Sequence, residues 1–332
     1  MCFTCAMYQI TDWVERIISG DRLALSRAIT LIESEAPDHQ NMRSSLLEAV
    51  ERISVSGSFR LAVTGVPGAG KSTLIDRLGL AWIADGCRVA VLAIDPSSSI
   101  SNGSVLGDKT RMNDLARSSE AFIRPSPTRL RLGGVASHTF EAMLLCEAAG
   151  FDRIIIETVG VGQSETLVSE LTDCCLLLLV TGTGDDLQGV KRGILEAADM
   201  VLVNKADGLN TDSAKAFARE LKSISSLWAN RMDGEKPSIL TGSTEDTDSM
   251  LKLLQAIEKY RLAGIKNGYI SQQRTRQKVF WMDQLVISKM EWLYRHHPEM
   301  QKVRDEMANQ INMGHAGLST GVQNILQHIQ IV

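Results

Sequence analysis

The chain has 332 residues, enough for two domains or for one large domain with helical additions. Hydrophobic residues make up 44% and the formal charge is −4, an ordinary globular balance with no basic tail and no reason to expect nucleic acid. No apolar run approaches the roughly 18 residues of a membrane span, and the first residues resemble neither a secretory signal nor, with their acidic residues, a transit peptide.

Six cysteines in a chain this long do not form a disulfide framework, and a reducing compartment is the default. Cys87, Cys146, Cys174 and Cys175 stand among apolar residues and read as small core residues. Cys2 and Cys5 make a C-x-x-C with no second ligand pair at suitable spacing, which gives a zinc or redox role little support.

In chain order, residues 9–56 read as helices. Thr11 or Asp12 is the candidate cap of a segment through Ile18 that Gly20 can end. Asp21 then caps a helix whose Leu23, Ala28, Ile29, Leu31 and Ile32 favour one face, and Pro37 stops it. A third helix runs through Leu46, Leu47, Val50 and Ile53.

From residue 58 strands and helices alternate, which predicts an α/β fold with a mostly parallel sheet covered on both faces. Strands are expected at 60–64, 89–94, 121–123, 154–157, 176–180, 201–203 and 239–240. The first runs into Gly65-Val66-Pro67-Gly68-Ala69-Gly70-Lys71-Ser72-Thr73, after which the spacing becomes helical. This is the P-loop pattern in its proper strand-to-helix context. Glycines let the backbone turn its N–H groups onto phosphate oxygens, Lys71 reaches the β- and γ-phosphates, and the Ser72 hydroxyl can ligate Mg²⁺. The helix behind adds its positive N-terminal end.

Asp95 and Glu157 each end an apolar strand, where a carboxylate near a P-loop holds Mg²⁺ directly or through water. Asp108 lies on the polar stretch 96–114, which is expected to fold over the phosphates. A helix cap or a surface carboxylate stays open for each, and their division of labour is undecided. The glycine-rich loop 182–193 reads either as an element near the γ-phosphate or an interface, or as a solvated connection.

Asn204-Lys205-Ala206-Asp207 follows the strand MVLV. N-K-x-D at a strand end downstream of a P-loop reads guanine. The Asp207 carboxylate accepts from N1–H and the exocyclic amine together, Asn204 bridges to loop backbone, and the Lys205 stem lies over the base. A site built for such bonds rejects an analogue lacking them by roughly 10⁴-fold. The expected nucleotide is GTP. In Glu157-Thr158-Val159-Gly160-Val161-Gly162-Gln163, Glu stands where Ras-like GTPases have Asp, and the glutamine comes three residues after Gly160. Gln163 is therefore not placed to orient the attacking water, no arginine finger is evident, and hydrolysis is expected to be slow until a partner accelerates it.

Together VTGVPGAGKST, AIDPSS, GSVLGDKTRMNDLAR, AFIRPSP, LLCEAAGFD, ETVGVGQSE, GDDLQGVKRGILEAADMVLVNKAD and GDRLALSRAITLIES resemble the MeaB/ArgK/MMAA family of methylmalonyl-CoA mutase-associated GTPases, over residues 15–260. The resemblance implies a SIMIBI-class P-loop GTPase that works as a homodimer. It implies a chaperone that gates adenosylcobalamin loading and protects a cobalamin-dependent acyl-CoA mutase, the cofactor being met only through that partner. The mutase's adenosyltransferase is a further candidate partner. Ser72, Asp95, Asp108 and Glu157 match the family's Mg²⁺ shell, and 182–193 matches a third switch loop in which Asp185 and Lys191 assist hydrolysis. With Lys71, Asp95 and Glu157 these complete the implied catalytic set. Residues 1–57 form an N-terminal helical extension, 58–264 the P-loop GTPase domain and 265–332 a helical dimerisation arm.

This chain departs from the family at Thr128-Arg129-Leu130-Arg131, at Ile100–Ser104 and in the second guanine-contacting loop, Gly242-Ser243-Thr244, where Ser243 and Thr244 can still offer backbone N–H groups. Beyond Gly264, helices are expected at 272–296, 299–313 and after Gly321. The first carries an apolar stripe through Val279, Met282, Leu285, Val286 and Leu293 that reads equally as packing or interface. The bacterial cytosol is the expected compartment, ahead of the mitochondrial matrix. Two other classes compete: a metal-insertion GTPase, which wants a His/Cys-rich segment, and a P-loop kinase of a small molecule or transport protein.

Overall fold

The computed structural model describes residues 3–34, 36–53, 57–95, 112–127, 134–158, 169–181, 192–225 and 236–329. Seven strands form one sheet: β1 (Phe59–Gly65), β2 (Val89–Asp95), β3 (Ala121–Pro127), β4 (Arg153–Glu157), β5 (Cys174–Leu179), β6 (Met200–Val203) and β7 (Ser238–Thr241). Their order is β3-β2-β4-β1-β5-β6-β7, and every neighbouring pair is parallel. All seven expected strands are present, with ends displaced by a few residues. The residues of β1, β5 and β6 are all buried, which is why β5 and β6 read as unbroken apolar runs instead of alternating ones, and β1 is interrupted only by the buried Arg60 and Thr64.

The chain divides into two compact units, Met1–Gln277 and Lys278–Val332. In the first, α1 (Phe3–Ile18), α2 (Arg22–Ile32) and α3 (Gln40–Glu51) precede the sheet. Helix α1 starts well before Thr11 and Asp12, which lie inside it and not at its start, because residues 3–10 continue the helix without a breaker. Asp21 does cap α2, its carboxylate accepting from the Leu23 and Ala24 amides at 2.8 and 3.1 Å. Helix α4 (Lys71–Ala84) buries Leu74, Ile75 and Leu78 against Phe59, Leu61 and Val63 of β1 and Ile155 of β4. The opposite side carries α5 (Gly134–Ala148). A second cluster joins Leu177 and Leu179 of β5 and Val201 and Val203 of β6 to Phe217 and Leu221 of α7 (Thr211–Ser225), which follows the short α6 (Arg192–Ala197). The unit closes with α8 (Thr247–Lys266), capped by Asp246, and the first turns of α9 (Tyr269–His296). Helix α9 begins three residues ahead of its expected start, because the Asn267 side chain accepts from the Tyr269 amide at 3.0 Å and caps it there.

Buried ion pairs fasten the amino-terminal edge of the sheet. Arg60 makes a bidentate pair with Glu147 at 2.8 and 2.7 Å, and Arg274 makes another with Asp173 at 2.7 and 2.6 Å. Burial pushes the Glu147 carboxyl up, but the hydrogen bonds and charge of Arg60, with Arg274 and Ser58, outweigh it and hold the pKa below the usual carboxylate value. Cys146, Cys174 and Cys175 are buried, as expected of small core residues, and Cys87 is half-buried.

The second unit holds the rest of α9, α10 (Pro298–Asn312) and α11 (Leu318–Ile329). Gly321 lies inside the last helix, not before it. A Cβ there would stand 3.0 Å from Cδ1 of Ile311, so the glycine serves close packing of α11 on α10. Val279, Met282 and Val286 on α9 are more than half exposed, at 56%, 56% and 52%.

Candidate functional site

Strand β1 is central, and the chain order reverses around it: β2, β3 and β4 lie to one side, β5 to β7 to the other. In open parallel sheets a ligand crevice forms at the carboxyl ends of the strands where the order reverses. The P-loop sits at that point, leaving β1 at Gly65 and entering α4 at Lys71.

Two glycines are required by geometry. At Gly65 the backbone has φ +145°, and a Cβ would lie 2.2 Å from the carbonyl oxygen of Leu178 on β5. At Gly70 φ is +94°, and a Cβ would lie 2.7 Å from Nδ2 of Asn204. The first contact is with backbone and cannot be relieved without moving the loop, and the second would push the Asn204 amide off the Ala69 carbonyl it donates to. Gly70 also stands at the N-terminus of α4 with no side chain to cap it, which leaves the helix's first amides to an anion. Val66, Pro67, Gly68 and Ala69 complete the loop, and the Ala69 amide closes a turn onto the Val66 carbonyl at 3.2 Å. Ala69 is buried and Pro67 and Gly68 are exposed, so the mouth of the loop faces outward. Lys71 Nζ donates to the carbonyls of Gly65 and Val66 at 2.8 and 3.3 Å, and this holds the ammonium over the loop mouth. Thr73 is exposed on the first turn of α4.

Across from α4, Glu157 closes β4. Its Oε1 accepts from the Ser72 hydroxyl at 2.9 Å. A hydroxyl and a carboxylate converging beside the phosphate loop are hard oxygen donors and fit Mg²⁺, which takes one or two carboxylates and completes its shell with phosphate and water. Among the described residues no group of three His, Cys, Asp or Glu side chains could hold a metal ion. Asp95 ends β2, two strands from β1 and next to β4, so its backbone stands at the same edge as Glu157. Asp108, Asp185, Lys191 and Gln163 fall outside the described residues, as do Ile100–Ser104 and Thr128–Arg131. So does most of the loop 182–193, up to the start of α6.

The Asn204-Lys205-Ala206-Asp207 motif follows β6. Asn204 is fully buried; its amide donates to the Ala69 carbonyl at 2.7 Å, and its side-chain oxygen accepts from the Thr244 amide at 3.0 Å. One side chain thus ties the phosphate loop to the loop after β7, the bridge that the sequence assigns to it. Lys205 has φ +56°, the single positive value on a non-glycine residue among the described residues. Such a conformation on a long side chain is imposed by its surroundings, and it falls on the motif between the buried Asn204 and the exposed Asp207. Asp207 Oδ2 accepts from the Ser243 hydroxyl at 2.5 Å, and the Ala206 amide donates to the Gly242 carbonyl at 3.1 Å. The carboxylate is thereby held in a fixed orientation. The Ser243 hydroxyl thus braces Asp207, a contact that its tripeptide alone does not reveal. The segment after the polar stretch is anchored too: the Leu115 amide donates to Asp76 of α4 at 2.9 Å, and Leu115 fills the space over Gly79.

The family description Methylmalonyl Co-A mutase-associated GTPase MeaB matches residues 25–299. GTPase ArgK of Escherichia coli (strain K12) is 43% identical over 82% of this chain and 82% of its own. The mitochondrial Methylmalonic aciduria type A homolog of Caenorhabditis elegans is 39% identical over 90% of this chain and 77% of its own. A solved structure described as LAO/AO transport system kinase superposes with a TM-score of 0.73 at 33% identity, covering 97% of this chain and 98% of that one.

Proposed function

The chain belongs to the Methylmalonyl Co-A mutase-associated GTPase MeaB family, and from that premise we propose that it is a nucleotide-switched chaperone of a cobalamin-dependent acyl-CoA mutase. It binds guanine nucleotide and hydrolyses GTP to GDP and phosphate. In the proposed role, the GTP cycle gates adenosylcobalamin loading and protects or reactivates the mutase, and the cofactor is met only on that partner. The observation that carries the reading is the family match across both nucleotide loops, joined to the pocket in which Asn204 ties the phosphate loop to the base loop.

The chemistry assigned to this chain's residues is positioning and charge neutralisation. P-loop amides and the Lys71 ammonium take up charge on the β- and γ-phosphates as water attacks phosphorus and the bond to the β-phosphate oxygen breaks. Ser72 and Glu157, with Asp95 and Asp108, would hold Mg²⁺, which would supply charge neutralisation to the nucleotide's phosphates. Asp207, set by Ser243, selects guanine. Asp185 and Lys191 are assigned to a partner-responsive loop that assists hydrolysis. The GTPase domain is taken as 58–264, with 1–57 an extension. Residues 265–332 form an arm for a second copy, whose exposed Val279, Met282 and Val286 offer apolar surface for pairing. No described helix is long and apolar enough to cross a membrane, and bacterial cytosol is the proposed setting.

A pull-down from the native cell with a non-hydrolysable GTP analogue tests the partner. Recovery of a cobalamin-dependent acyl-CoA mutase is expected, with its adenosyltransferase as a second candidate; recovery of unrelated proteins alone refutes the chaperone role and leaves the GTPase standing. The likeness to the solved LAO/AO transport system kinase supports a second reading, phosphoryl transfer to another protein. Product analysis separates the two, since free phosphate marks a GTPase and a phosphorylated acceptor marks a kinase.

A further inference from the structure

We propose that Thr64 and Thr158 are positioning residues: their buried hydroxyl pair fixes the end of β4 so that Glu157 faces Ser72, and it thereby sets how strongly a divalent cation is held with the guanine nucleotide. This rests on the assignment of Ser72 and Glu157 to the Mg²⁺ shell. The geometry starts from register. Val63 of β1 pairs with Glu157, the last residue of β4. One residue further on, the Thr158 amide donates to the Val63 carbonyl at 3.1 Å, and the Thr158 hydroxyl donates to the Thr64 hydroxyl oxygen at 2.9 Å. Both side chains are buried, at 2% and 0% exposure.

Strand alternation turns this into a positioning device. Leu61, Val63 and Ile155 pack toward α4, so Glu157, two residues beyond Ile155, points the same way and meets Ser72 on the first turn of α4. Thr158 and Thr64 point to the opposite side. Gripping Thr158 there holds the backbone of Glu157 from behind, and it does so at the residue that precedes Gly65, whose carbonyl accepts from Lys71. Stability alone does not call for two buried hydroxyls, because replacing both partners of a buried hydrogen bond by apolar groups of the same shape is nearly neutral. What a pair of valines cannot supply is direction: a hydrogen bond fixes the rotation of the strand end, and a ligating carboxylate must be placed within about 0.5 Å.

The test compares GDP dissociation across a Mg²⁺ titration and in excess chelator, using a fluorescent GDP, for the full chain and for Thr64→Val/Thr158→Val. The double variant is expected to keep its chelator value and its thermal midpoint, while the Mg²⁺ concentration that half-slows release rises by roughly tenfold or more. Thr158→Ser keeps the hydroxyl and should restore the wild-type titration, whereas Thr158→Val should not. An unchanged titration in the double variant, or a serine variant that behaves like the valine one, overturns the proposal. Should wild-type release ignore Mg²⁺ altogether, the metal assignment itself fails and the proposal falls with it. If the double variant does not fold, the Ser and Val single variants decide by the same titration.

Discussion

Replacing Asn204 by alanine strips two bonds from a fully buried position at once. The Ala69 carbonyl loses its donor at 2.7 Å and the Thr244 amide its acceptor at 3.0 Å. A buried group left without its partner costs about 1–3 kcal/mol, and water entering the vacated space favours the lower half of that range. The two together cost about 2–4 kcal/mol, which is roughly a 30- to 1000-fold change in an equilibrium constant. Part appears as lost folding stability, because both bonds exist without nucleotide. The rest appears as lost GDP affinity, because the two loops are no longer set against each other in advance. Urea unfolding and calorimetric titration with GDP measure the two shares, and their sum is the predicted quantity. Asn204→Asp sharpens the test. It keeps an acceptor for Thr244 but puts a desolvated carboxylate against the Ala69 carbonyl, so it should be at least as damaging as alanine. A summed loss below about 1 kcal/mol in Asn204→Ala would refute the view that this side chain fixes the two loops together.

Asp207→Asn should shift preference from guanine toward xanthine nucleotides, since xanthine offers a carbonyl where guanine has its exocyclic amine; competition binding with GDP and XDP reads it. Lys71→Ala removes the ammonium held over the loop mouth and should abolish both GTP binding and phosphate release, so full turnover in that variant would contradict the site. Arg274→Met leaves the wholly buried Asp173 carboxylate without its charged partner and should cost about 3–5 kcal/mol in urea unfolding. Glu147 has a folded pKa held below its unfolded value, so its contribution is present above the ordinary carboxylate pKa and is lost as the pH falls toward the folded one. The urea midpoint should therefore drop as the pH is lowered past about 4.5, and Glu147→Gln should flatten that acid limb.

Local patterns carried the chemistry into the sequence, and long-range contacts kept its geometry out. The P-loop, Asn204–Asp207 and the seven strands are legible because each depends on spacing within a few residues. Helix ends were less so: Thr11 has the chemistry of a cap yet lies within α1, and Gly321 looks like a stop until Ile311 is seen against it. The partners Ser243 and Asp207 are 36 residues apart, and Thr64 and Thr158 are 94 apart. Threonine is an ordinary strand residue, so a sequence cannot distinguish one that fills a core from one that aims its neighbour. Glu157 carries the same ambiguity. Along the chain it is a departure from the aspartate of Ras-like GTPases; placed at the end of β4, its extra methylene spans the distance to Ser72 directly. A longer ligand has more rotamers to lose, which raises the value of a rigid backbone beneath it. The glutamate and the threonine pair behind it are then two halves of one solution: reach supplied by the side chain, and aim supplied by the strand.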